Sequence, residues 1–190
     1  MPRGKSGQFR IIAGAWRGRR LTFPDRGGVR PTTDRVRETL FNWLGPGIAA
    51  DHFLDLFAGS GALGLEALSR GAAGGIFVER DRSLAARINE HLESLEADAR
   101  ARVVTAELPG WLRREPARPA SLVFLDPPWK ARLHGRVLEA LEGNGWLAPA
   151  ARVYLEWPVR SGEPDLPAGW SWLRQGRAGE AGMGLAGPAS

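Results

Sequence analysis

Cysteine is absent from all 190 residues. Its absence excludes disulfides, thiolate zinc sites and the covalent thiol route to methylating carbon 5 of a pyrimidine. Only three histidines occur, His52, His91 and His134, and they are too scattered for any familiar metal-ligand spacing, so no metal is expected. No apolar run approaches the roughly 18 residues of a membrane span. The opening MPRGKSGQFR also lacks the apolar core of a secretory signal. These absences lead us to expect a cytoplasmic protein without membrane contact. Repeats and low-complexity blocks are missing too, although the last residues are rich in glycine and alanine.

What is present is a globular composition, 43% hydrophobic, at a length that suits one domain with a small appendage. The net charge of +5 is unevenly placed. Residues 1 to 40 carry ten basic side chains (Arg3, Lys5, Arg10, Arg17, Arg19, Arg20, Arg26, Arg30, Arg35, Arg37) against three acids, whereas the remainder has 16 basic against 18 acidic. All the positive excess therefore sits at one end. Arginine predominates there, and its planar fork pairs with phosphate and stacks on bases. A merely solvated face is the plainer reading of the same run.

The stretch HFLDLFAGSGALGLEAL, residues 52 to 68, organises the rest. An apolar run to Phe57 meets the turn Ala58-Gly59-Ser60-Gly61 and then a helix-patterned segment, which reads as strand, tight turn and helix. The two glycines let a ligand approach the main chain, and the amides at the helix start face the same place. Gly59 to Gly64 fits G-x-G-x-x-G, with Glu79 20 residues on, so a dinucleotide site is one reading. Asp55 argues against it: a carboxylate before the turn repels a pyrophosphate and attracts an ammonium. A cationic ligand with a ribose for Glu79 to hold, such as S-adenosylmethionine, fits better.

Elsewhere the pattern predicts a hairpin (9–13 and 17–23), a helix capped by Thr32 or Thr33 and running to about Leu44, and strands at 75–79, 102–105, 121–125 and 153–157. Helices are expected over 83–95 and 136–141, with only a short turn near Pro109. Strands alternating with helices imply a parallel sheet covered on both faces, its working edge at the strands' C-terminal ends. Asp55, Glu79 and Asp126 fall at or near such ends.

The fourth strand runs into Asp126-Pro127-Pro128-Trp129. Two prolines fix the backbone and remove two donors, leaving nearby carbonyls free to accept. With the Asp126 carboxylate they could grip an exocyclic amine and return its lone pair from the ring to nitrogen, which could then attack a sulfonium methyl. Trp129 offers a stacking face worth about 1–3 kcal/mol. Catalysis would then be positioning and hydrogen-bond electrostatics, with no covalent intermediate. A rigid packed loop is the plainer reading of the same residues.

The stretches RIIAGAWRGRRL, RPTTDRVRETLFNWL, FLDLFAGSGALGLEALSRGA, VERD and FLDPPW, in this order and spacing, closely resemble the bacterial RsmD family. The likeness runs from residue 8 to about 175. It implies a Rossmann-like class I S-adenosylmethionine-dependent methyltransferase, an α/β fold with a mainly parallel sheet and helices on both faces. A basic N-terminal β-hairpin extension (1–31) would precede the methyltransferase domain (32–190). The activity implied is methylation of the exocyclic N2 of a guanine in 16S ribosomal RNA, by a monomer acting on an assembling small ribosomal subunit. By resemblance, Asp55, Gly59 and Gly61 hold the methionine moiety and Glu79 the ribose. Phe57, Ala58, Ser60, Arg80, Asp81 and Glu107 complete the cofactor contacts, and Asp126, Pro127, Pro128 and Trp129 hold the base. Arg17, Arg19, Arg20, Arg30, Arg35 and Arg37 would meet RNA or close over the cofactor.

The sequence departs from the family in three places. Trp129 stands where many relatives have Phe or Tyr, and Glu107 where an Asp or Asn commonly touches the adenine amine. The tail RAGEAGMGLAGPAS replaces a β-branched and aromatic closing strand, so the last strand, about 177–190, is expected to be short, frayed or absent. Alternatives remain: an N6-adenine or N4-cytosine DNA methyltransferase, whose targets are also exocyclic amines, and a non-catalytic RNA-binding assembly factor. No segment reads as a separate duplex-reading domain, which favours an exposed RNA base. An assembly factor would need neither Asp55, Glu79 nor the Asp-Pro-Pro-Trp turn, and a nicotinamide oxidoreductase gives that turn no role.

Overall fold

Phe53 and Asp55 point to one face of their strand, Leu54 and Leu56 to the other, and all four are buried, as a strand covered on both sides requires. In the computed structural model, which describes residues 6–25 and 32–189, that strand is β3 (His52–Leu56). It lies within a seven-stranded sheet. Its parallel neighbours are β4 (Gly74–Glu79) and β6 (Ala120–Leu125), with β5 (Ala101–Thr105) beyond β4 and β7 (Leu147–Pro158) beyond β6. Two antiparallel strands complete it, β8 (Trp170–Ala178) and β9 (Ala181–Pro188), in the order β5-β4-β3-β6-β7-β9-β8.

Helices cover both faces. On one side α1 (Asp34–Leu44), α2 (Ala62–Ser69) and α3 (Arg82–Ser94) contribute to a core with Phe53, Phe77, Phe124 and Tyr154. On the other, α4 (His134–Gly143) and a 3-10 turn at Gly110–Arg113 enclose Leu54, Leu56, Val123, Leu125, Val153 and Leu155. Thr33 caps α1, its hydroxyl accepting from Val36 N at 3.4 Å, and Gly45 ends the helix at positive φ.

The hairpin strands are β1 (Ser6–Arg10) and β2 (Arg20–Pro24), displaced from the expected 9–13 and 17–23 because residues 11–19 form a longer turn. That turn is pinned to the end of α2: Ala15 N donates to Ser69 O at 2.7 Å and Trp16 N to Ser69 Oγ at 3.0 Å.

The C-terminal strands correct the sequence reading. β9 is neither frayed nor absent, since it pairs with β7 from Val153↔Ala186 to Pro158↔Ala181 and with β8 along its other edge. Its glycines make room for tryptophan rings. A Cβ on Gly182 would lie 2.5 Å from Trp157 Nε1, and one on Gly184 would lie 2.4 Å from Trp172 Cζ3. The rings themselves stand 5.2 Å apart between centroids. Aromatic area from the flanking strands thus replaces the side chains that β9 lacks. β8, which the sequence reading did not foresee, is the sheet edge.

Arg37 is corrected as well. It is not a surface group awaiting phosphate but is 0% exposed in the core, where Nη2 donates to Arg10 O (2.8 Å) and to Asp34 Oδ1 (2.6 Å). Nη1 lies 3.4 Å from Glu66 Oε2. Glu66, also fully buried, accepts from the amides of Ile12 (2.8 Å) and Ala13 (3.0 Å) and from Arg70 Nε (2.8 Å). This network ties the hairpin to α1 and α2.

Candidate active site

β3 leaves the sheet through three left-handed residues in five positions: Phe57 at φ 61°, Gly59 at 55° and Gly61 at 77°. Phe57 in that region marks backbone strain at the turn. The loop is held from below by two carboxylates. Asp55 Oδ2 accepts from Gly64 N at 2.9 Å, inside the first turn of α2. Glu79, at the tip of β4, accepts from Gly59 N through Oε2 and from Asp81 N through Oε1, both at 2.8 Å. One acid therefore joins the glycine turn to the next strand–helix junction, and each of its oxygens keeps a further lone pair for a ligand hydroxyl.

Asp55 is 3% exposed. Burial pushes its carboxyl up to about 8, the Gly64 amide opposes this, and the Glu79 charge adds to the rise. A cationic group placed beside Asp55 would restore its charged form, so the donor set fits a ligand carrying an ammonium or sulfonium.

Ala58 and Ser60 lie within the same loop, with Ala58 N bonded to Val78 O at 3.0 Å. Asp81 has a structural duty: Oδ1 caps α3, accepting from Ser83 N (2.8 Å), Leu84 N (3.1 Å) and Ser83 Oγ (2.6 Å). Arg80 and Asp81 line an open depression between the tips of β4 and β5 together with Arg82, Thr105, Ala106 and Glu107.

β6 is the direct neighbour of β3, with Asp55 opposite Phe124 and Leu56 opposite Leu125. Asp126 follows at once, partly accessible, then buried Pro127 and exposed Pro128. Trp129, 37% exposed, opens a short 3-10 turn that ends at Arg132 in the left-handed region. Burial raises the Asp126 carboxyl well above the ordinary range, and the charges of Glu156 and Asp55 add to it. Asp55 and Asp126 thus share one site at adjacent strand tips.

The sequence reading missed several residues. Glu156, on β7, is buried, and its Oε2 accepts from Tyr154 Oη at 3.0 Å. A charged residue inside the apolar run VYLEW was the available signal. Lys130 and Arg132, exposed beside Trp129, add positive charge at that turn.

The arginines divide. Arg35 is exposed on the first turn of α1. Arg17 and Arg19 are exposed on the turn bonded to Ser69 and Arg20 opens β2, so this group lies at the far end of α2 from the glycine loop. An eight-residue helix puts about 12 Å between those ends. Arg30 lies outside the described residues. Among the described residues no helix is long and apolar enough to cross a membrane.

A family model described as conserved hypothetical protein 95 matches residues 9–186. The ribosomal RNA small subunit methyltransferase D of Escherichia coli strain K12 is 51% identical over 175 residues, covering 92% of this chain and 87% of that protein. The solved structure of yhhF from Escherichia coli superimposes with a TM-score of 0.89 at 46% identity, covering 97% of this chain and 99% of that one. A structure of the protein SMU.776, solved with SAH, has a TM-score of 0.66 at 14% identity over 88% of this chain and 53% of that one, a likeness of fold alone.

Proposed function

The chain belongs to the conserved hypothetical protein 95 family, that of the ribosomal RNA small subunit methyltransferase D proteins, and we propose that it methylates the exocyclic N2 amine of a guanine in 16S ribosomal RNA. It is an S-adenosylmethionine-dependent methyltransferase with a Rossmann-like fold. The observation that carries the finer reading is the pairing of Asp55 and Asp126 at the tips of adjacent parallel strands, close enough for the Asp55 charge to act on Asp126.

S-adenosylmethionine supplies an electrophilic sulfonium methyl. Asp55 and the glycine loop hold its methionine end, and Glu79 receives the ribose hydroxyls while keeping the loop closed through Gly59. Asp126 accepts from the amine, and the rigid Pro127-Pro128 turn presents carbonyls that accept a second N–H. Trp129 stacks on the base. Guanine suits the carboxylate because N1–H and N2–H both donate toward one edge, whereas adenine N1 accepts. Arg17, Arg19 and Arg20, at the far end of α2 from the glycine loop, suit phosphates of a large folded RNA such as an assembling small subunit, on which the protein acts as a monomer.

The test is to incubate the protein with labelled S-adenosylmethionine and small-subunit particles lacking the modification, then identify the labelled nucleoside by mass spectrometry. N2-methylguanosine supports the reading; label in another nucleoside, or none, overturns it.

A further inference from the structure

The strand beside Asp126 carries a second carboxylate. Leu125 of β6 pairs with Leu155 of β7, so Asp126 and Glu156 are the next residues along two adjacent parallel strands. Glu156 is 8% exposed, and its carboxylate is held by the hydroxyl of Tyr154, two residues back on the same face of the strand and fully buried. Its backbone is held too, because His134 Nε2 of α4 lies 2.9 Å from Glu156 O. None of the ion pairs found among the described residues includes Glu156. A buried carboxylate without a cation is costly to keep, and its position must be accounted for.

The titratable groups around this pair come from four strands and a helix: Asp55 of β3, Glu79 of β4 beyond it, Asp126 at the end of β6, Tyr154 and Glu156 of β7, and His134 of α4. Burial, then the Glu156 charge, then the Asp55 charge raise Asp126. Burial also raises Glu156, and the Tyr154 hydroxyl draws it back down. Two carboxyls so placed bind a proton more tightly than either would alone.

Building on the methyl-transfer reading of Asp126, we propose that Glu156 is a positioning residue: anchored by Tyr154, it holds its charge against Asp126 so that the pair takes up the proton released by the methylated amine. The amine nitrogen bonds to the methyl carbon while the carbon–sulfur bond breaks and its electron pair stays on sulfur. One N–H proton of the resulting cation passes to the Asp126 carboxylate, and the electrons of that bond return to nitrogen. The products are a neutral N-methyl amine, a thioether, and a proton on the Asp126–Glu156 pair that later leaves to water. Raising the basicity of Asp126 strengthens it both as acceptor for the amine and as proton acceptor.

Glu156→Gln keeps the shape and the Tyr154 contact while removing the charge, and Tyr154→Phe loosens the anchor. The first readout needs no cofactor: carboxyl-carbon NMR of the ligand-free protein, in which Glu156→Gln should move the Asp126 titration to lower pH. The second is steady-state methyl transfer. Glu156→Gln should lower kcat about tenfold at pH 8, shift the acidic limb of the kcat profile to lower pH, and leave KM for RNA and affinity for S-adenosylhomocysteine within about twofold. Glu156→Asp should recover part of the rate, and Tyr154→Phe should fall between. An unmoved Asp126 titration with kcat within twofold of the unaltered protein overturns the proposal. So does a parallel loss of kcat, KM and thermal stability with an unmoved profile, which marks a purely structural residue. If the unaltered protein methylates no RNA, the parent reading fails by itself, and the Asp126 titration still decides whether Glu156 acts on it.

Discussion

Arg37 Nη1 stands 3.4 Å from Glu66 Oε2 with both side chains wholly buried, so the arginine's charge answers a carboxylate in the core and not a phosphate on RNA. Breaking such a pair by removing one partner leaves an uncompensated charge, at a cost of about 3–5 kcal/mol. Arg37→Ala should lower the stability measured in urea by that much while the salt dependence of RNA binding stays unchanged. Denaturation and filter binding on the same preparation check both halves.

The exposed turn behaves oppositely. Neutralising Arg17, Arg19 and Arg20 to Gln should leave stability within about 0.5 kcal/mol, as surface changes usually do. RNA affinity should fall, and the slope of log K against log salt should shrink by about 0.7–0.9 for each phosphate that is no longer neutralised. An unaltered slope would remove these residues from the RNA interface.

Gly184→Val should destabilise the sheet by about 1–3 kcal/mol, the usual cost of forcing atoms into packed space. The added Cβ would meet Trp172 Cζ3 at 2.4 Å, and a smaller residue at 172 removes that clash. Trp172→Ala combined with Gly184→Val should therefore be less destabilised than the sum of the single changes, as thermal melts of all three variants would reveal.

Stability of the ligand-free protein should fall as pH rises from about 7 to 8. Asp55 has a folded-state value raised from 3.8 to about 8, so its contribution is complete below the unfolded value and lost as pH climbs through the folded one. Asp126 and Glu156 are raised as well and act in the same sense. His52, His91 and His134 are lowered from 6.5 by burial, so their opposite contribution is already complete above pH 7. Asp55→Asn should flatten the trend in denaturation midpoints measured across this window. An identical slope in the variant would mean that Asp55 is ionised throughout.

Much of this was legible because it is local. The run from His52 to Leu68 encodes a strand, a turn and a helix within a few residues, and the acids at the strand tips follow from where each apolar run stops. Arg37 was misread because it flanks the Val36–Leu40 stripe, yet Phe41 and Leu44 lie four and seven residues on, which puts Arg37 inside that face. β9 was misread for a different reason. Its glycines read as weak strand formers until Trp157 and Trp172 are set across from them, and that pairing joins parts of the chain that no local window contains. Glu156 lay between these cases: the anomaly was visible in VYLEW, while its partner Asp126 sits 30 residues away on another strand.

If Asp55 serves the methyl donor and Asp126 the accepting amine, substituting each in turn must separate donor binding from methyl transfer. Calorimetric affinity for S-adenosylmethionine and single-turnover methyl transfer to small-subunit particles would be recorded for Asp55→Ala and Asp126→Ala beside the unaltered protein. Asp126→Ala should bind the donor within a few-fold yet transfer at least about a hundredfold more slowly, the scale expected for a positioned acid–base group, whereas Asp55→Ala should lose donor affinity. Turnover by Asp126→Ala at the unaltered rate, or donor binding untouched in Asp55→Ala, would contradict the account.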